Sequence, residues 1–420
     1  MPDTEPDPAG SRLARIALTW LAEPGNEAVH RLVGAVGPVE ALARLRGGRS
    51  PDDSTRTASS ARLATADPLQ VAAAALDRAT RVGARLVTPE DPDWPGQVED
   101  LTRLARRPGS GPGGTGSGGS RGGAPPLAMW VRGPWPLAEA LARSVAVVGS
   151  RAPSEYGRHV SMEFGHGLAE QGWTIVSGGA YGIDACAHRG ALAAGGCTVA
   201  VLACGIDRPY PTGNTAMFDQ IAESGLLVSE WLPGAEPLRH RFLTRNRLIA
   251  AATAGTVLVE AGARSGAAQT VRRALALGRA TMVVPGPITS AVSVGCHEIL
   301  RDHPQARLVA GVAHVQEEIG RIGIDLAPPP RGPERPRDSL DPQAARVLEA
   351  VPGRGSVDLD ELAGRAGVDI RTAMRTVSAL QARGLLTGAD GRYRLPPRSA
   401  TGVGRRGDLT DQAAGPTVGG

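Results

Sequence analysis

Apolar runs of four or five residues recur through the middle of the chain, each ending in small or polar residues. Val145 to Val148, Thr174 to Ser177, Val199 to Ala203, Leu226 to Ser229, Thr256 to Val259 and Met282 to Val284 read as buried strands. Arg158 to Gln171, Asp184 to Ala194 and Ala267 to Leu277 have the periodicity of helices between them. Strands that are apolar throughout and joined by helices of this length predict a parallel sheet covered on both faces. The expected fold class is α/β: an extended Rossmann-like, doubly wound parallel sheet with ligands off the carboxyl ends of its strands.

Upstream, Leu13, Ile16, Ala17 and Trp20 share one face of a helix. Leu32 to Pro38 places Gly34 and Gly37 in a turn between helices. That turn fits either a helix-hairpin-helix-like module, which holds phosphate through turn amides, or an ordinary bundle turn. Gly47 to Ser60 is polar and reads as loose; Asp67 to Val82 reads as a helix, and Arg85 to Thr88 and Leu127 to Val131 as strands. Downstream, Asp341 to Ala350, Leu359 to Arg365 and Ile370 to Arg383 are helical, the last two set about a bend at Gly367. Gly384 to Thr387 and Gly391 to Leu395 pair as a hairpin, which completes a C-terminal winged helix. The expected organisation is a tail at 1–10, a small N-terminal helical domain at 11–90 and a Gly/Ser/Pro-rich linker or loop insert at 105–126. A Rossmann-like domain at 127–320, a Pro-rich linker at 321–339, the winged helix at 340–396 and a tail at 397–420 follow.

Composition narrows the chemistry. All 46 basic residues are arginine, so no Schiff-base or P-loop lysine exists. A net charge of +4 permits a polyanionic partner without demanding one. Cys186, Cys197, Cys204 and Cys296 lack metal-ligand or disulfide spacing, so no metal or cofactor is expected and the thiols suit a reducing compartment. No apolar run is long enough to span a membrane, and Met1 to Gly10 does not resemble a signal peptide; the expected location is cytoplasmic.

Candidate chemistry lies at the strand ends. Gly149-Ser150-Arg151 is a turn with backbone amides, a hydroxyl and one arginine fork, suited to capturing a phosphate or simply exposing an arginine. It is not G-x-G-x-x-G, which disfavours a dinucleotide. Ser177-Gly178-Gly179 opens a second such turn, followed by Asp184 and His188, either an acid/base pair or a cap and a helix-surface histidine. Gly205 to Pro211 reads as a rigid wall of the same crevice. In Arg239-His240-Arg241-Phe242-Leu243-Thr244-Arg245-Asn246-Arg247, four arginines flank one phenylalanine. Guanidinium forks suit successive phosphates and Phe242 a stacked base. No catalytic residue set is evident.

These motifs together resemble the DNA-processing protein A family (DprA, also called Smf). The resemblance rests on Val148 to Arg151, Ser177 to His188, Gly205 to Pro211, Phe242 to Arg247, Val259 to Gly266 and Val284 to Gly286, in that order. It implies a non-enzymatic homodimer that binds and protects single-stranded DNA and loads a RecA-type recombinase in natural transformation or recombination. By position it implies DNA contacts from Arg151, Arg239, Arg245, Asn246 and Arg247, with Phe242 stacking on a base. Leu243 departs from the proline usual there, and the Gly/Ser/Pro insert is not typical of the family. Two rival readings are a nucleotide or sugar-phosphate hydrolase, whose Pro-Gly-Gly-x-Gly-Thr loop is missing at Glu260 to Gly266, and a winged-helix transcription regulator.

Overall fold

The inner strands of the central sheet send alternate side chains into different cores. Val145 and Val147 join Ile175, Val257 and Phe164 in one cluster, while Ala146 and Val148 join Val176, Val201, Leu248 and Val271 in another. That alternation is the mark of a sheet covered on both faces. The computed structural model describes residues 7–105, 123–321, 325, 337 and 339–396. The tails expected at 1–10 and 397–420 and the linkers expected at 105–126 and 321–339 lie wholly or largely outside these residues.

The chain forms two units, Met1–Pro328 and Pro329–Gly420. The first begins with helices α1 (Pro8–Leu21), α2 (Glu27–Arg46), α3 (Asp53–Leu63) and α4 (Pro68–Arg81). Strand β1 (Ala84–Val87), helix α5 (Leu101–Ala105), strand β2 (Met129–Arg132) and helix α6 (Leu137–Ala142) lead into the main repeat. That repeat runs β3 (Ser144–Val148), α7 (Glu155–Glu170), β4 (Thr174–Ser177), α8 (Ile183–Ala193), β5 (Thr198–Leu202), α9 (Thr215–Ser224) and β6 (Leu226–Ser229). It continues through α10 (Arg239–Ala252), β7 (Gly255–Leu258), α11 (Ala267–Leu277), β8 (Ala280–Val283), α12 (Val294–Asp302), β9 (Arg307–Leu308) and α13 (Val312–Ile319).

The nine strands order as β1-β2-β6-β5-β4-β3-β7-β8-β9. β2 pairs antiparallel with both β1 and β6, whereas the remaining pairs are parallel. The wholly parallel sheet expected from sequence is therefore corrected to a mostly parallel one carrying one reversed strand. From β3 the chain winds outward to β6 and then returns to the other side of β3 for β7. The switch point of the sheet thus lies between the carboxyl ends of β3 and β7, where α/β folds bind ligands.

Two further expectations are corrected. The segment read as loose holds α3, whose cap Asp52 accepts from the Thr55 amide at 2.6 Å. Only Thr55 and Ser59 of α3 are buried, so a helix without an apolar stripe escaped the pattern. The turn at Leu32 to Pro38 is a kink within α2: Gly37 alone takes a positive φ of 79°, ahead of Pro38, while Gly34 stays helical. The N-terminal helices share a core with the sheet, Leu18, Leu21 and Val29 clustering with Trp130, Leu202, Phe218 and Leu227.

In the second unit α14 (Pro342–Glu349), α15 (Leu359–Ala366) and α16 (Ile370–Ala382) enclose a core of Val347, Leu362, Val377 and Leu380. Gly367, at a φ of 64°, forms the bend between α15 and α16. Strands β10 (Val357–Asp358), β11 (Thr387–Ala389) and β12 (Arg392–Arg394) make a three-stranded sheet in the order β10-β12-β11.

Candidate nucleic-acid interface

The turn after β3 sits at the switch point, but its Ser150 amide is engaged by the protein itself. The Ser150 amide donates to the Glu260 carbonyl at 2.7 Å, and the Ser150 carbonyl accepts from the Ile183 amide at 3.1 Å. A Cβ on Gly149 would lie 2.7 Å from Ile183 Cγ1 and 2.8 Å from the Glu260 carbonyl oxygen, so only glycine fits. The Glu260 carboxylate accepts from the Ser154 amide at 2.9 Å and the Ser154 hydroxyl at 2.5 Å. It therefore occupies the N-terminus of α7, the position where a bound phosphate was expected. The reading of unpaired amides at Gly149-Ser150-Arg151 is corrected at Ser150. Arg151, by contrast, projects into solvent.

The second glycine-rich turn is filled in the same way. An Asp184 carboxyl oxygen accepts from the Gly178 amide at 3.2 Å and the Ala180 amide at 3.4 Å. Burial pushes the Asp184 pKa up, against the pull of the Arg245 charge and these amides. Ser177, Gly178 and Gly179 are buried, and the Ser177 hydroxyl donates to the Val147 carbonyl at 2.6 Å. His188 faces Thr198 of β5, with its Nδ1 2.7 Å from the threonine hydroxyl. Asp184 and His188 are each engaged elsewhere and do not form the acid/base pair considered from sequence.

Helix phase separates the arginines of α10. Arg241 and Arg245, four residues apart, point inward together. Arg241 donates to Glu23 at 2.8 Å, and Trp231 gives its indole proton to the same carboxylate at 3.0 Å, which ties the α1–α2 loop to the start of α10. Burial raises the Glu23 pKa, but hydrogen bonds from Arg241 and Trp231 outweigh it and hold the carboxyl below its ordinary range. Arg245 donates to the carbonyls of Gly178, at 2.9 Å, and Val201. Burial lowers its pKa to about 10. Asn246 is 9% exposed and accepts from Arg245. Arg247 is 0% exposed and meets Glu230, 2% exposed, at 2.6 Å. The picture of four successive phosphate forks is thus corrected: Arg239 is the one of the four in solvent.

What the structure does bring together is Arg151, Phe242 and Tyr210. The Arg151 guanidinium carbon stands 5.3 Å from the centroid of the half-buried Phe242 ring. Tyr210 meets that ring edge-on, with centroids 5.9 Å apart and planes at 63°. Sequence reasoning missed Glu260, because a single acidic residue after a strand does not reveal which helix end it fills. It also treated the loop of Tyr210 as wall alone. Among the described residues no group of His, Cys, Asp and Glu is arranged to hold a metal, and no helix is long and apolar enough to cross a membrane.

Comparison with known proteins agrees with the α/β fold. The family described as DNA recombination-mediator protein A matches residues 116–320. The Mycobacterium tuberculosis chain that carries the name DNA processing protein DprA is 43% identical over 378 residues, spanning 90% of this chain and 92% of that one. Protein Smf of Escherichia coli is 34% identical over 254 residues, 59% of this chain and 67% of that one. The X-ray structure of DNA processing protein A from Streptococcus pneumoniae superposes with a TM-score of 0.57 at 29% identity, covering 74% of this chain and 98% of that one. A relative this similar over nearly its full length carries the conclusion that the chain belongs to the DNA processing protein A (DprA/Smf) family.

Proposed function

We propose that the chain binds single-stranded DNA along the carboxyl rim of its sheet, with Arg151 and Arg239 taking phosphates and Phe242 offering its ring to a base. The observation that carries this reading is the exposed Arg151 guanidinium held 5.3 Å over Phe242, a cation and a stacking face in one place. Arg245, Asn246 and Arg247 act behind it, bracing α10 and the turn at Gly178. Family membership supports the wider role: protection of single strands, loading of a RecA-type recombinase, homodimer formation and cytoplasmic work in transformation or recombination, without catalysis. The unit of α14 to α16 and its small sheet is read as a winged helix serving as a partner-binding or accessory DNA-binding module. The N-terminal helices are read as a small helical domain.

Titration of oligothymidylate by fluorescence anisotropy across salt tests this directly. Wild type is expected to prefer single strands to duplex and to lose affinity as salt rises. Arg151→Ala is expected to weaken binding about tenfold and to flatten the log–log salt slope by about 0.7, one phosphate's worth on a single strand. Phe242→Ala is expected to cost roughly 1–3 kcal/mol with the slope unchanged. Equal affinity for duplex, or two variants that bind as wild type does, would overturn the assignment.

The filled helix ends make a second prediction. With Glu260 at the N-terminus of α7 and Asp184 on the amides of the next turn, a free nucleotide finds neither of these two phosphate cradles vacant. Nucleoside monophosphates at millimolar concentration are expected to give no thermal stabilisation and no release of base. Submillimolar nucleotide binding with base release would establish the hydrolase instead.

A further inference from the structure

Tyrosine and phenylalanine are scarce in this chain, four and three in 420 residues, yet their placement is concentrated. Phe164 and Phe218 are buried in the core. Tyr156, Tyr181 and Tyr210, all the tyrosines of the first unit, are 42%, 50% and 43% exposed. All three lie beyond the carboxyl ends of the strands, on the rim that carries Arg151 and Phe242. The Tyr156 hydroxyl donates to the Pro285 carbonyl at 2.8 Å, which gives that ring a structural task. The hydroxyls of Tyr181 and Tyr210 make no hydrogen bond among the described residues, and their rings face solvent.

The two free rings continue from Phe242 in spatial order. Tyr181 follows β4, Tyr210 follows β5, and Phe242 lies on the helix after β6, and these three strands are neighbours in the sheet. Contacts then link the three rings in that order. Tyr210 already touches Phe242 edge to ring. Tyr181 rests on the same loop as Tyr210: a Cβ at Gly213 would lie 2.5 Å from the Tyr181 hydroxyl oxygen, so glycine leaves that hollow open. Tyr181 itself is held by a rigid turn, with Gly179 and Gly182 at φ of 66° and 84°. Leu238, just ahead of α10, and Leu243, beside Phe242 in the helix, are 43% and 42% exposed. Arg151 covers one face of Phe242 and Arg239 stands in solvent beside it, so cations line the same path.

We infer that Tyr210 and Tyr181 are two further base positions, which extend the interface from one stacked base at Phe242 to a row of three. This rests on the single-stranded DNA reading. The occupants are successive bases of one strand, taken without sequence preference because every base has a π face.

The test uses the full chain and oligothymidylates carrying a single abasic site moved along the strand. Tyr210→Ala and Tyr181→Ala are each expected to weaken binding roughly five- to hundredfold, whereas the Tyr→Phe variants keep wild-type affinity. The Tyr→Leu variants, with similar apolar bulk and no π face, are expected to fall with alanine. In wild type, three abasic positions carry a penalty. Tyr210→Ala and Tyr181→Ala should each erase one of them and leave the others. Leucine variants that bind as wild type does, or three penalties that persist in both alanine variants, would overturn the inference. If Arg151→Ala and Phe242→Ala weaken binding while the tyrosine variants do not, only the extended row falls. If wild type itself fails to favour single strands, the reading beneath it falls instead.

Discussion

Glu230→Ala is expected to destabilise the first unit by about 3–5 kcal/mol, because it leaves the Arg247 guanidinium buried without its partner. The pair is closed from water, at 2.6 Å with the two residues 0% and 2% exposed. Burial pushes the Glu230 pKa up, while the charges of Arg247 and then Arg273 oppose that rise. Arg273 is a second inward-facing cation whose own pKa is lowered by burial to about 10. Removing the carboxylate therefore leaves two neighbouring cations with no acidic group between them. All six tryptophans belong to the first unit, so the urea midpoint read by their fluorescence reports on this unit alone. The companion variant decides what Arg247 is for. Glu230→Leu with Arg247→Met replaces the pair by apolar groups of similar volume, a change that is often neutral in buried sites. It is expected to recover most of the lost stability and to bind single-stranded DNA with wild-type affinity and salt slope. A folded double variant whose slope drops by about 0.7 would return Arg247 to the list of phosphate contacts.

That experiment bears on a general limit of the sequence. The pattern of Leu238 to Arg247 shows which charges are close along the chain but not the helix phase that sends Arg241, Arg245 and Arg247 inward and leaves Arg239 out. Strands were legible because four or five consecutive apolar residues have few other uses. Ser144–Val148, Thr174–Ser177 and Leu226–Ser229 lie at, or within one residue of, the runs read for them. Strand direction was not legible. Leu127 to Val131 reads as a strand from its side chains, and nothing in those residues says that the strand formed at Met129–Arg132 runs against its neighbours. β10, two residues long, is too short for any period to register. The glycines at Gly149 and Gly178 were read as turns that offer amides to a phosphate, yet what comes near them is the protein itself. At Gly149 it is Ile183 and the Glu260 carbonyl, and at Gly178 the Arg245 guanidinium. A glycine reports that something comes near; its identity is a tertiary fact.

Acidification is expected to destabilise the first unit through His188 as well as through carboxylates such as Glu23 whose pKa the fold depresses, and replacing His188 should flatten the dependence. His188 is 0% exposed. Thr198 gives its hydroxyl proton to the Ile175 carbonyl at 2.7 Å, so the imidazole Nδ1 must be the donor toward that hydroxyl. Nε2 then carries no proton, and it has no partner among the described residues. Burial, and after it the Arg245 charge, lowers the pKa of the folded state from 6.5 to about 3. The unfolded chain therefore binds the extra proton first, and stability contributed by the neutral ring is full above pH 6.5 and lost as pH falls toward 3. The loss by pH 4 is about 3 kcal/mol, at 1.36 kcal/mol per unit. Asp184 and Glu230 act with the opposite sign. Burial raises their folded pKa values, so protonation as the pH falls favours the native state and offsets part of the loss. Comparing wild type with His188→Gln removes that offset, because both carboxyls remain in each protein. Urea midpoints at pH 7 and pH 4 are expected to converge, with the wild-type excess at neutral pH about 3 kcal/mol larger than at pH 4. Parallel pH profiles for the two proteins would mean that His188 is protonated within the fold.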